Sequence, residues 1–222
     1  MLMMNNTTGA LTGISLNNIG KKFRDHWVFR GLSFQINKGD KVALNGHNGS
    51  GKSTLLQIIA GYVSPSEGSV TWNAASDPIN TDDIFKHLVI AAPYLDLIDE
   101  FTLEENIDFF IRLKPIRKGL SKNDLIALTG IDKNTTGQFR YFSSGMKQKL
   151  RLTLAFTADT DLLLMDEPLS NLDQAGYKWY AEMAEKFSNG RTVLVCSNMV
   201  KDETYFCNRH LDIEEFKKPN SI

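Results

Sequence analysis

Residues 46–53 read GHNGSGKS and match the pattern G-x-x-x-x-G-K-[ST] at every fixed position. A polyphosphate needs several backbone N–H groups aimed at it, so the loop that holds it must contain residues without side chains. In such a loop the lysine, here Lys52, reaches the β- and γ-phosphates, and the hydroxyl of Ser53 binds Mg²⁺. We therefore predict a site for ATP and Mg²⁺. Its residues are Gly46, His47, Asn48, Gly49, Ser50, Gly51, Lys52, Ser53 and Thr54.

Two acidic residues follow the apolar run at 162–165 and precede Pro168. A carboxylate at a strand end beside a phosphate-binding loop can hold Mg²⁺ through its water shell, and we assign that role to Asp166. The adjacent Glu167 is placed to polarise a water molecule for attack on the γ-phosphate. Without the glycine-rich loop, the better interpretation would be two solvated acids at a strand end.

A third candidate, Asn198, ends the short apolar run VLVCSN at 193–198. The run predicts a buried strand, and strand ends in α/β proteins are where ligands are handled. Asn198 has two interpretations. It faces a phosphate, or it is the N-cap of a helix in the following segment MVKDETYF, since asparagine is a good cap residue.

The elements that must position these residues alternate between strand and helix patterns. Strand-like runs occupy the chain up to about residue 44, a helix begins inside the segment at 51–62, and two further strands precede Pro93. From Thr102 the apolar residues recur at helical spacing, with Glu105 three residues after this N-cap. Strands that are apolar throughout and alternate with helices predict an α/β fold with a mostly parallel sheet covered on both faces.

The amino-acid composition excludes several classes of function. The chain has 222 residues, 42% hydrophobic residues and a formal net charge of −1, so it can bury a substantial core and carries no basic excess of the kind that binds nucleic acid. Two cysteines are too few for a disulfide framework and fit a reducing cytosol. The first ten residues, MLMMNNTTGA, resemble no secretory leader, and no apolar run is long enough to span a bilayer. We expect any role at a membrane to come through a partner.

The order of motifs resembles a known family. The phosphate loop, SSGMKQKLRLTLAF at 143–156 and LLLMDEPLSNLD at 162–173 together are similar to the ATP-binding subunit of an ATP-binding cassette (ABC) transporter. The resemblance covers nearly the whole chain. It implies one domain over 1–222, a P-loop NTPase of the ABC ATPase type. A mostly parallel core with an antiparallel β subdomain would occupy about 12–94 and 158–222, and a helical insert about 95–157.

The resemblance also implies partners and further site residues. The family's signature element corresponds to Ser143, Ser144 and Gly145, which would open a helix toward the γ-phosphate bound by the other subunit of a dimer. Phe23 falls where the family stacks an aromatic ring on adenine, although a core position is the alternative. The implied assembly is a homodimer of ATPase subunits on an integral-membrane permease, at the cytoplasmic inner face of the cell membrane. A heterodimer is a further option.

Two positions depart from the family pattern. Pro93 stands where a glutamine normally reaches Mg²⁺ and the attacking water, and Asn198 stands where a histidine normally faces the γ-phosphate. Proline has no side-chain donor or acceptor, and a carboxamide carries no charge. We expect ATP binding to be intact and hydrolysis to be slow, with Lys52, Glu167 and Asn198 as the catalytic residues. The alternatives are a regulatory subunit impaired in hydrolysis and a soluble ABC ATPase outside transport. By analogy, SSGMK favours export.

Overall fold

The structure, a computed structural model, describes residues 9–95, 97–132, 135 and 137–217. The first eight residues of the chain and most of the C-terminal segment KKPNSI lie outside these ranges, and with them the prediction about a leader. No helix in the described ranges is long and apolar enough to cross a bilayer. In chain order the strands and α-helices are β1 Leu11–Phe23, β2 His26–Asn37, β3 Lys41–Asn45, α1 Lys52–Ile59, β4 Glu67–Ala74, β5 Leu88–Ala91, α2 Leu103–Leu113, α3 Lys122–Leu128, α4 Ser144–Thr157, β6 Leu162–Asp166, α5 Gln174–Phe187, β7 Thr192–Ser197, α6 Lys201–Thr204 and β8 Arg209–Asp212.

A five-stranded sheet with the order β5-β6-β7-β3-β8 forms the centre of the fold, and every neighbouring pair in it is parallel. All residues of β6 and β7 are buried, because apolar side chains pack on both faces of the sheet. The α/β prediction with a mostly parallel sheet is confirmed. The register places Asn45 beside Ser197, and Asp166 beside Cys196. The residues that follow β3, β6 and β7 therefore meet at one edge of the sheet.

A second sheet, antiparallel and with the order β2-β1-β4, packs its apolar face into the same core as α1. Its alternating burial pattern is typical of a sheet with one covered face and one solvated face. Phe23 ends β1 and is 53% exposed, so the alternative that placed this ring in the core is wrong.

Helices α2, α3 and α4 share a separate apolar cluster. Both α2 and α3 begin with a capping box, in which Thr102 pairs with Glu105 and Ser121 pairs with Asp124. Each box satisfies two N–H groups that the first helical turn would otherwise leave free. The predicted cap at Thr102 is confirmed.

The aromatic residues of this helical part divide into two sets. Phe139 and Phe142 are buried in the cluster, whereas Phe109 is 42% and Tyr141 79% exposed. The first two pack between the helices, whereas the side chains of the other two are accessible to a partner protein.

Candidate nucleotide-binding site

The loop between β3 and α1 forms a cradle that only glycine can build. Gly46, Gly49 and Gly51 have φ angles of 150°, 74° and 107°, in the region that side chains disfavour. A Cβ on Gly51 would lie 2.5 Å from Cγ1 of Val28, and one on Gly46 would lie 2.5 Å from Oγ of Ser50. The loop leads into α1 and borders a cavity of about 290 Å³. Such a curve of backbone amides at a helix start is a site for an anion.

The predicted loop residues do not all face that cavity. Asn48 through Thr54 line it together with Glu167. The amide of His47 instead donates to Oε1 of Glu214 at 3.0 Å, and its carbonyl accepts from Lys52 at 3.0 Å. The Glu214 contact was missed by sequence reasoning, because it joins residues far apart in the chain.

Lys52 is buried, with 4% of its surface exposed, and its ammonium group is fully occupied. Its Nζ donates to the carbonyl of Gly46 at 2.7 Å, to the carbonyl of His47 at 3.0 Å and to Oδ1 of Asn198 at 2.6 Å. An ammonium group has three protons, and these three acceptors use all of them. A phosphate can therefore bind Lys52 only by displacing one of them.

Asp166 closes the same edge of the sheet and has the character of a metal ligand. It is 2% exposed, and its Oδ1 has no hydrogen-bond partner among the described residues. Burial raises the pKa of Asp166; the Ser53 hydroxyl opposes that rise, Glu167 adds to it, and Lys52 opposes it. A buried, unpaired carboxylate oxygen next to a hydroxyl is a donor set that suits Mg²⁺, which prefers oxygen ligands. The described residues therefore fit the ion.

Glu167 follows Asp166 with a φ of 46°, which is unusual for a residue with a side chain. Its amide donates to the carbonyl of Cys196 at 3.0 Å, which ties this turn to β7. Its Oε1 accepts from Nδ2 of Asn198 at 2.8 Å, and its Oε2 accepts more weakly from Ser170 Oγ at 3.5 Å. The carboxylate is thus held at the mouth of the cavity.

The side chain of Asn198 bridges the ammonium group of Lys52 and the carboxylate of Glu167. Its carboxamide accepts from Lys52 and donates to Glu167, so both of its ends are used. The N-cap interpretation is wrong: α6 begins later, at Lys201, and the hydroxyl of Ser197 accepts from the amide of Val200 at 3.0 Å. The side chain of Asn198 therefore points into the site.

The segment after β5 brings an additional residue near the site. Pro93 lies there without a polar side-chain group, and the next residue is Tyr94. Burial raises the pKa of the Tyr94 hydroxyl, and the nearby Asp166 carboxylate raises it further, whereas a hydrogen bond to Gln57 of α1 lowers it. Sequence reasoning missed Tyr94, because its approach to Asp166 depends on the pairing of β5 with β6.

The predicted signature residues lie apart from the glycine-rich loop. Ser143 caps α4, where its Oγ accepts from the amide of Met146 at 3.2 Å. Together with Ser144, Gly145 and the segment around Asn171, it lines a second cavity of about 390 Å³. Within one chain, neither these residues nor Phe23 line the cavity at the loop.

Comparison with known proteins decides the family. Residues 29–170, more than half of the chain, match the sequence profile described as ABC transporter. The chain belongs to the ABC transporter family. It is an ATP-binding domain of the ABC ATPase type, as the order of its motifs predicted.

The relatives of this ABC domain differ in length. It is 32% identical over 195 residues to ATP-binding cassette sub-family A member 7 of Mus musculus, covering 86% of this chain but 9% of that protein. It is 27% identical over 213 residues to Nod factor export ATP-binding protein I of Burkholderia orbicola, covering 94% of this chain and 70% of the relative. The chain thus spans less than a tenth of the mouse relative.

A solved ABC cassette has the same fold. The dimeric, post-hydrolysis structure of the cassette MJ0796 bound to ADP and Pi superposes with a TM-score of 0.74 at 21% identity, over 90% of this chain and 93% of that one. The ABC ATPase fold predicted from the sequence is confirmed.

Proposed function

We propose that this domain binds ATP with Mg²⁺ and hydrolyses it to drive export through a separate membrane permease. The observation that carries the proposal is that Lys52 and Glu167 line one cavity beside the glycine loop and are joined by Asn198, while Asp166 directly precedes Glu167. The name of the Burkholderia relative, which includes export, supports the direction.

In this proposal the loop amides and Lys52 bind the phosphates, and Ser53 and Asp166 hold the metal ion. Bound there, Mg²⁺ would neutralise charge on the phosphate oxygens. Glu167 accepts a proton from the attacking water, because its carboxylate faces the cavity and is fixed by Asn198. Lys52 gives up its bond to Asn198 for a phosphate oxygen.

Slow hydrolysis is part of the proposal. The amide of Asn198 is neutral, and hydrogen bonds from neutral donors are about half as strong as charge-assisted ones. A deficit of about 1.4 kcal/mol in the transition state corresponds to a rate about ten-fold lower. Pro93 adds no polar contact, although the Tyr94 hydroxyl lies close enough to Asp166 for the two groups to interact electrostatically.

We further propose that two ATPase subunits complete each site. Ser143, Ser144 and Gly145 form the start of a 14-residue helix and do not line the loop cavity of their own chain. A helix start with a serine hydroxyl suits a phosphate oxyanion bound by another chain. We place Phe23, exposed at the end of β1, against the adenine ring.

The assembly that follows is a homodimer on the cytoplasmic face of the membrane, held there by the permease. The helical part, about 95–157 as predicted, offers the exposed rings of Phe109 and Tyr141 as permease contacts. The remainder forms the nucleotide-binding core.

A regulatory subunit that binds ATP without turnover is the second candidate. It is favoured by Pro93 and by the closed set of bonds around Lys52, and it is opposed by Glu167, which such a subunit would not need.

Phosphate release by the purified chain with its permease separates the two candidates. The first predicts steady turnover that Glu167→Gln abolishes, while calorimetry still detects Mg-ATP binding. An exchange of Glu182, an exposed glutamate of α5, to Gln serves as the matched control. Turnover that is equally low in wild type and Glu167→Gln, with binding intact, would establish the regulator instead.

A further inference from the structure

A polar cavity of about 430 Å³ lies at the amino ends of β5, β6 and β7. Because these strands are parallel, this edge of the sheet is opposite to the one that carries the glycine loop. The residues just before the strands contribute Lys86, Asp159, Asp161 and Arg191, and the segment between α2 and α3 contributes Arg117. The cavity is therefore separate from the nucleotide site.

Arg191 is a buried cation with unused hydrogen-bonding capacity. It is 3% exposed, its Nη1 donates to the carbonyls of Ala155 and Phe156 at 3.3 Å each, and its Nη2 donates to Oγ1 of Thr160 at 2.5 Å. These bonds hold the end of α4, yet they use only three of five N–H donors. Its Nε has no partner in the described part of the chain.

Arg117 places a second guanidinium at the same cavity. Its Nη2 donates to the carbonyl of Phe187 at 2.7 Å, and its Cζ lies 5.7 Å from the centre of the Phe187 ring. Burial lowers the pKa of Arg117. Burial and, to a smaller extent, the charge of Arg117 lower the pKa of Arg191 to about 9, against the opposing effect of Asp159 and Asp161. Neither arginine forms an ion pair with a carboxylate in the described ranges.

The other charges at the cavity form no direct bond to either arginine in the described part of the chain. Lys86 is already bound to Asp83 at 2.5 Å, and Asp161 is bound to Nδ1 of His87 at 2.9 Å. Asp159 is exposed and acts on both arginines only at longer range, and Asp161 acts on Arg191 in the same way. The cavity therefore presents two guanidinium groups that have no directly bonded carboxylate among the described residues, and one of them has a buried, unsatisfied donor.

We propose that this cavity is an anion site that binds a phosphate group between Arg117 and Arg191. Buried charges in proteins are normally paired, and an unpaired one with an empty donor indicates a missing partner. The planar guanidinium matches phosphate oxygens with parallel hydrogen bonds. The volume admits free phosphate or the phosphates of a nucleotide, which share this chemistry.

Titration calorimetry with inorganic phosphate tests the site. All measurements use the full chain carrying Lys52→Ala, which weakens phosphate binding at the glycine loop. We expect saturable binding of one phosphate. Arg117→Gln keeps a donor for the Phe187 carbonyl but removes the charge, and it should weaken binding about ten-fold. Asp159→Asn removes the opposing charge and should tighten binding about three-fold.

Lys118→Gln, an exposed neighbour outside the cavity lining, is the matched control and should leave the affinity unchanged. Excess ADP that displaces the phosphate would identify a nucleotide as the source, whereas failure to displace it would identify free phosphate. No saturable heat, or equal affinities in Arg117→Gln, Asp159→Asn and the control, would overturn the proposal. Because Asp159 is exposed, its exchange stays informative even if Arg117→Gln does not fold.

Discussion

Replacing Asn198 by alanine should separate ATP affinity from turnover. The exchange removes the acceptor 2.6 Å from Lys52 and the donor 2.8 Å from Glu167, without touching either charged group. The first contact exists in the nucleotide-free site and competes with a phosphate. The second orients the Glu167 carboxylate, which we propose activates water. We therefore expect the loss of the first contact to strengthen ATP binding and the loss of the second to slow turnover.

The size of each effect follows from these contacts. A hydrogen bond to a charged group contributes about 1.5–3 kcal/mol net. Asn198 is partly exposed, so water replaces much of its bond to Lys52, and we expect about 0.7 kcal/mol of gain in ATP binding, about three-fold. Among the described residues, the Glu167 carboxylate then keeps only the weak Ser170 contact at 3.5 Å, so a loss of about 1.4 kcal/mol in orientation should lower kcat about ten-fold.

Two measurements on one preparation decide the matter: the Kd for Mg-ATP by calorimetry and kcat by steady-state phosphate release. Asn198→Asp is the companion variant; its carboxylate would pair with Lys52 and repel phosphate, so it should weaken ATP binding about ten-fold or more. Asn198→His should raise kcat above wild type. The reasoning is refuted if Asn198→Ala leaves both constants unchanged, or if it weakens ATP binding.

Three further changes test the rest of the site. Glu167→Gln should lower kcat by about a hundred-fold or more with ATP binding retained, as assayed by phosphate release and calorimetry. Gly51→Ala should destabilise the fold by about 2–4 kcal/mol in urea titrations, because its Cβ would meet Val28 at 2.5 Å. Gly190→Ala should cost only about 1 kcal/mol, since its φ of 77° is similar but its surroundings are open; equal losses would contradict the packing argument. Asp166→Asn should stabilise the nucleotide-free domain at pH 7, and this gain should vanish below pH 3.8. Burial raises the folded-state pKa of Asp166 above the ordinary value of 3.8, so its charge is costly to folding at pH 7. Below pH 3.8 the acid is protonated in both the folded and the unfolded state, and this cost disappears. Urea titrations at both pH values check the sign.

Short-range sequence patterns made part of the site predictable. The glycine loop, the two acids at the end of β6 and the cap at Thr102 each depend on residues close together in the sequence. Alternating strand and helix patterns were enough to predict a parallel sheet. Its register then brought Ser197 beside Asn45, and so placed Asn198 against Lys52 across 146 positions of the chain.

Other features depended on long-range packing and could not be predicted from the sequence. The exposure of Phe23 depends on where β1 ends relative to the core. The Glu214 carboxylate on the amide of His47 joins a C-terminal turn to the loop. Tyr94 approaches Asp166 because β5 and β6 are neighbours, and no local pattern states which strands pair.

In our proposal, Asn198, which stands where the family pattern has a histidine, affects the nucleotide-free site as well as the reaction. A protonated imidazole could not accept a hydrogen bond from an ammonium group, and two cations at this distance would repel. The neutral amide of Asn198 accepts from Lys52 and holds Glu167 at the same time, so the nucleotide-free site is internally satisfied. ATP must replace that contact before it gains the full interaction with Lys52. We therefore expect this neutral side chain to limit both the binding of ATP and the stabilisation of the transition state, so affinity should rise and rate should fall when it is removed.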